Sequence, residues 1–323
     1  MNCRVLLLKA LTVAVAVLLP GLLWAQAYPS KPVRLILGFP PGSGVDIAMR
    51  TITPRMGEVL GQAVVIENRP GAGTNIAAEL AARAPADGYT LYAVVAATAI
   101  NQTLYSRLPY SLLKDFDAIA PVATVPTVLI VHPSLPVRSV KELVALAKAR
   151  KGELSFSSNG AGSVPHLTVE MLKMASGIEL LHVPYRGTPQ AMADLMAGQV
   201  TMSFGNMLSV MPVVRTGRLR ALALTSERRS PVAPELPTVA ETYPGYSAST
   251  WYALAAPVKT PRDIVARLND VVTRVMRAPD FRQEFEKRGA QVLYGSPQET
   301  GAFIRAEIEK WGKVVKASGA KVE

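Results

Sequence analysis

The residues best suited to chemistry in this chain are three histidines, His132, His166 and His182, and a few serines in glycine-rich company. His166 and Glu170 stand i,i+4, on one face of any helix that holds them, as the first two ligands of a metal site would. No third ligand follows at a suitable spacing, so the plainer expectation is a hydrogen-bonded histidine at a helix start. His132 and His182 lie beside strand ends, where a structural role is expected. Ser43 and Ser163 are not in the GxSxG turn of a nucleophilic serine, and Ser111-Leu112-Leu113-Lys114 matches SxxK with no KTG after it. Ile47 and Ile76 occupy the positions where GxGxxG needs its third glycine, and no GK[ST] completes a phosphate loop. No nucleophile, base and oxyanion donor come together. The expectation is a protein that is not an enzyme, with no cofactor and no metal.

What remains is the chemistry of binding. The apolar run Val33–Phe39 ends in Pro40-Pro41-Gly42-Ser43-Gly44, and a helical pattern starts near Val45. A turn of this kind leaves backbone N–H groups unpaired at the helix start, where the helix dipole also attracts anions. The same arrangement recurs at Ser157-Ser158-Asn159-Gly160-Ala161-Gly162-Ser163, between the short strand Leu154–Ser157 and the helix Val164–Ala175. Two such loops, one on each side of a cleft, would line it with donors. Ligands of open α/β sheets bind at the carboxyl ends of the strands.

Strands and helices alternate through most of the chain, which implies parallel sheets covered by helices. Val64–Glu67, Thr90–Val95, Leu181–Val183, Val200–Phe204 and Leu219–Thr225 read as further strands, and Asn75–Ala82, Ser139–Arg150 and Thr188–Ala197 as helices. The stretch Pro261–Ser318 is mainly helical, with breaks at Pro279 and Pro297. Two extended apolar stretches, Ala118–Val131 and Thr250–Ala256, are long enough to pass between lobes. They divide the chain into a discontinuous first lobe, 28–124 plus 240–323, and a second lobe, 125–239.

The beginning of the chain reads as an export signal. Arg4 and Lys9 precede an apolar run, Ala10–Leu19, and Ala25-Gln26-Ala27 fits a cleavage site. The run is shorter than the ~20 residues of a spanning helix. The one cysteine, Cys3, lies before it, so cleavage after Ala27 leaves a mature chain without disulfides or a lipidated cysteine. Hydrophobic residues make up 49% and charged residues 18%, in keeping with a globular protein that has a large apolar core. The net charge of +11 falls to +9 without Arg4 and Lys9. Its basic residues are dispersed, and export argues against nucleic acid as a partner.

Taken in order, these segments resemble one family: YPSKPVRLILGFPPGSGVD (28–46), IENRPGAGTNIAA (66–78), ADGYTLY (86–92), AINQTLY (99–105), KDFDAIAPVA (114–123), FSSNGAGSVPHL (156–167), HVPYRGTPQAMADLMAGQV (182–200), GRLRALALTSERR (217–229), ELPTVAETYPGY (235–246) and WYALAAP (251–257). The resemblance is to the Bug family, the extracytoplasmic solute receptors of tripartite tricarboxylate transporters, and it covers essentially the whole mature chain. It implies an α/β, two-lobe, type II-like periplasmic binding protein fold with two crossing strands and a ligand cleft between the lobes. It also implies a monomer that captures a small carboxylate in the periplasm and delivers it to membrane subunits. An alternative is a ligand-loaded partner of a membrane signalling sensor.

Carried onto this chain, the resemblance assigns Phe39, Gly42, Ser43, Gly44 and Asp46 to the site from the first loop. Thr98 and Asn101 follow the third strand. Ser158, Asn159, Gly162 and Ser163 come from the second lobe, and Phe204 and Asn206 close the far side. Asp46 would repel a bound carboxylate, so its expected role is to cap the helix and fix the loop, with any ligand contact through water. Ser43, Val45, Thr74, Ala99 and Gln102 depart from the family pattern. Ala99 is expected to enlarge or depolarise the cleft, and no specific solute carries over.

Overall fold

The computed structural model describes residues 28–322; the export signal read at 1–27 lies outside them. Among the described residues, ten strands form two sheets joined through one long strand. In the first lobe, β1 (Val33–Leu37) pairs in parallel with β2 (Val64–Asn68) and β3 (Thr90–Val95). In the second, β5 (Ser155–Ser158) pairs in parallel with β6 (Leu181–Pro184) and β7 (Met202–Asn206). The helices that follow are α1 (Gly44–Leu60), α2 (Asn75–Ala82) and α3 (Ala96–Leu104) in the first lobe. The second holds α4 (Val140–Ala149), α5 (Val164–Ser176), α6 (Thr188–Met196) and α7 (Met207–Arg215).

β4 (Phe116–Val131) carries the chain from one lobe to the other. Its first part, Phe116 to Pro126, pairs antiparallel with β9 (Ser249–Pro257), and its last five residues, Thr127 to Val131, pair antiparallel with β7. The change of partner falls at Pro126, a residue with no N–H to give to a ladder. β8 (Arg220–Leu224) and β10 (Gln291–Val292) also pair antiparallel with β4. The sheets are therefore mixed, not parallel as the alternation implied. The crossing strands return the chain in the opposite direction, and periodicity does not carry direction.

Of residues 240–248, assigned to the first lobe from the sequence, Tyr243 and Tyr246 pack on the second, while Ala248 lies in the cluster that holds Trp251. Tyr246 is buried in the cluster that holds Phe156 and Phe204, and its hydroxyl donates to Thr168 O at 2.6 Å. The chain re-enters the first sheet only at Ser249. The C-terminal segment breaks where its prolines stand: α8 (Arg262–Arg277) follows Pro261, α9 (Pro279–Lys287) starts on Pro279, and α10 (Pro297–Ser318) on Pro297. The capping residue expected before α4 is present, with Glu142 N donating to Ser139 Oγ at 3.2 Å.

Candidate ligand-binding site

Five strand-to-helix junctions converge between the lobes. The starts of α1 and α3 approach from the first lobe and those of α5, α6 and α7 from the second, around a cavity of ≈ 70 Å³. Each helix start carries roughly half a positive charge and N–H groups with no partner inside the helix. No charged side chain lines the cavity among the described residues. Its wall is apolar at Phe39, Val45, Val95, Met192 and Phe204, with polar groups at Ser43, Asn159, Thr188, Ser203 and Asn206. Such a surface favours an anion through backbone dipoles rather than through a counter-charge.

Most of these polar side chains are already committed. Asn206 caps α7, accepting from Leu208 N at 3.0 Å and donating to Tyr252 Oη at 2.7 Å. Asn159 donates to Thr188 Oγ1 at 3.2 Å, and Ser203 to Ser157 O at 3.0 Å. Ser43 is the exception: it is 2% exposed and its hydroxyl has no hydrogen-bond partner among the described residues. A buried hydroxyl left unpaired costs about 1–3 kcal/mol.

The two glycine loops are built alike. Ser43 N and Ser163 N donate to Pro40 O and Gly160 O at 3.3 and 3.2 Å. Gly42 N donates to Asp46 Oδ2, and Gly162 N to His166 Nδ1, both at 2.9 Å. Each loop is thus clamped by the side chain three residues into its helix. Asp46 also accepts from Arg50 Nε at 3.0 Å and Asn68 Nδ2 at 3.0 Å. Burial pushes its carboxyl upward, but these hydrogen bonds outweigh that and hold it below the usual range. Burial, and then the nearby Lys173, hold His166 down at about 4. It is therefore neutral at pH 7, as an acceptor at Nδ1 must be. His182 stacks on it with ring centroids 4.2 Å apart, and is lowered to about 4 by burial and by His166.

The lobes meet through glycines. A methyl group at Gly44 would overlap the Asn206 amide, one at Gly162 would overlap Leu104, and one at Gly187 would press on Pro40. In each pair the residues come from opposite lobes.

A model of the tripartite tricarboxylate transporter family receptors (TctC) matches residues 48–320. The chain belongs to that receptor family. Protein BugT of Bordetella pertussis is 37% identical to it over 302 residues, covering 93% of each chain. Rpa4515 of R. palustris, solved with adipate, superposes at a TM-score of 0.89 with 36% identity, covering 91% of this chain and 99% of that one. MatC of Rhodopseudomonas palustris, solved with bound malate, gives 0.83 and 31%, covering 89% and 100%. The two-lobe periplasmic binding architecture is common to them. Among its described residues, this receptor has no helix long and apolar enough to cross a membrane.

Six of the residues assigned to the receptor's site line the cavity: Phe39, Ser43, Gly44, Asn159, Phe204 and Asn206. The other seven do not line it. Gly42 and Asp46 clamp the first loop, and Gly162 belongs to the clamp of the second. Ser158 bonds His182 Nε2 at 2.6 Å, and Ser163 Oγ donates to Gly160 O at 2.7 Å. Thr98 bonds Tyr92 Oη at 2.9 Å, and Asn101 donates to Gly73 O at 2.7 Å. Ala99 does not shape the cleft as expected: it is fully buried in the cluster that holds Tyr92 and Trp251. Thr188, Met192, Thr127 and Thr250 line the cavity without having been singled out. Thr188 repeats the strand, glycine, helix-start pattern and was open to the same reading. Thr127 and Thr250 face inward only because of strand pairing.

Proposed function

We propose that this receptor is exported to the periplasm with cleavage after Ala27 and works there as a monomer. It closes its lobes on a small carboxylate and presents it to the membrane subunits of a tripartite transporter. The observation that carries the reading is the cavity: five helix starts, one of them capped by Ser43, surround a space with no charged wall among the described residues. The adipate and malate held by Rpa4515 and MatC support the ligand class. Ligand contacts to both lobes would stabilise the closed arrangement, and no bond making is required.

Thermal shift of the mature chain against mono-, di- and tricarboxylates and their matched amides tests the reading. A ligand at ~100 times its Kd stabilises the native state by about 2.7 kcal/mol, so carboxylates should raise the midpoint and the amides should not. A rise with neutral compounds alone would contradict it.

A further inference from the structure

The first lobe carries a large groove of its own, away from the cleft. It measures ≈ 980 Å³ and lies between α8, α10 and the start of β4. Its deeper lining is apolar, with Leu112, Phe116, Ala255 and Ile304 all buried. Leu113 joins them with 39% of its surface in solvent. The charged residues that line the groove are the exposed Lys259, Arg262 and Arg305, against one carboxylate, the half-buried Asp117.

The rim stays positive for physical reasons. Among the described residues, Arg267 and Arg274 of α8 pair with Asp270, whereas Lys259, Arg262 and Arg305 pair with no carboxylate. The starts of α8 and α10 reach the groove at Pro261 and Pro297, and each adds roughly half a positive charge. Lys259 has φ of 71°, a left-handed conformation uncommon in a residue with a side chain. Its neighbours enforce it: Val258 N donates to Asp115 O at 2.9 Å, and Thr260 Oγ1 to Pro257 O at 2.7 Å. An apolar floor inside a polar rim that carries arginine is the anatomy of a protein–protein interface.

The place of the groove bears on its use. Thr250 of β9 lines the cavity between the lobes. Ala255 lies five residues farther along the same strand, roughly 16 Å at the rise of a β-strand. Every residue lining the groove belongs to the first lobe, so rotation of the second lobe leaves its shape unchanged.

We propose that the receptor docks on its membrane partner through this groove, and that the partner supplies an acidic segment with an apolar anchor. The proposal rests on the transport reading above. Holding the receptor by one lobe leaves the other free to open and release the ligand at the partner.

Uptake of the tightest-binding carboxylate into proteoliposomes that hold the membrane subunits, measured against receptor concentration, tests this. The proteins compared are wild type, Arg262→Glu with Arg305→Glu, and a control with the same charge change on the second lobe, Arg218→Glu with Arg228→Glu. Reversal in the groove should raise the receptor concentration for half-maximal uptake about tenfold or more, and added salt should shrink the difference. Its carboxylate affinity in calorimetry should stay within about twofold of wild type, and the control should match wild type throughout. Equal half-maximal concentrations for wild type and groove variant, or equal rises for groove variant and control, would overturn the docking groove and leave the transport reading intact. Wild type sedimenting with protein-free vesicles of anionic lipid, and the groove variant not, would assign the groove to the membrane surface and overturn the proposal. No uptake with wild type would overturn the transport reading and the proposal together.

Discussion

The loops at the starts of α1 and α5 share one geometry and differ in chemistry. Both begin with a left-handed glycine, place a serine at the helix cap, and return the glycine N–H to a side chain three residues into the helix. In the first loop that side chain is a carboxylate with a guanidinium partner; in the second it is a neutral imidazole stacked on another. The serines differ too. Ser163 donates to its own loop, whereas the buried Ser43 hydroxyl has no partner among the described residues. The same turn thus yields one wall that offers a side-chain donor and one that offers its helix start. The difference shows that a strand, glycine, helix pattern locates a wall, while the partners of each side chain decide what that wall presents.

The largest expected effect comes from breaking the approach between the walls. Gly44→Ala leaves the turn intact but puts a methyl group against Asn206 of the other lobe. Overpacking of about 1–3 kcal/mol confined to the closed form predicts carboxylate affinity weakened on the order of 10–100-fold in calorimetry, with the free protein's melting little changed. Unchanged affinity would mean that closure does not bring Gly44 to Asn206.

The two serines come next. Ser43→Ala should weaken carboxylate binding about tenfold, the value of one hydrogen bond to a charged group, and Ser163→Ala by less than about threefold. The reverse order would show that the second loop, not the first, supplies the side-chain donor.

The clamps should separate in stability. Asp46→Ala removes the acceptor for Gly42, Arg50 and Asn68, and denaturant unfolding should show a loss of about 2–3 kcal/mol, moderated by the exposure of Arg50. His166→Gln keeps an acceptor for Gly162 N–H and should cost less than about 1 kcal/mol at pH 7. Equal losses would remove the distinction between the loops.

The smallest effect is in pH dependence. His166 and His182 titrate near 6.5 when unfolded and about 4 when folded. Between those values the unfolded chain binds more protons, so stability is full above 6.5 and falls as pH drops toward 4. The Asp46 contribution runs with the same sign but is lost only at lower pH, as its depressed carboxyl becomes protonated. His166→Gln should flatten the melting profile between pH 6.5 and 4 by roughly 1–2 kcal/mol. A profile as steep as wild type would assign the slope to other groups.

Much of this was legible in the residues. The length of the apolar run Ala118–Val131 marked β4 as a crossing, and Pro261, Pro279 and Pro297 marked the starts of the last helices. Both glycine loops were visible as chemistry. The α3 helix was not, because it follows β3 without a polar cap: Val95 precedes it, and the apolar run continues into it. Thr98 and Asn101 were visible as polar residues, but their partners Tyr92, Gly73 and Asn75 come from packing that no local pattern encodes. Strand direction was hidden for a similar reason, since β4 and β9 look the same whichever way they pair.

The most direct test of the central claim is small-angle scattering of the mature chain with and without the tightest-binding carboxylate, for wild type and Gly44→Ala in parallel. If one carboxylate is held between the two loops, wild type becomes more compact on saturation and the variant, at the same ligand concentration, compacts far less. Saturating binding to wild type with no change in dimensions, or equal compaction of both proteins, would contradict it.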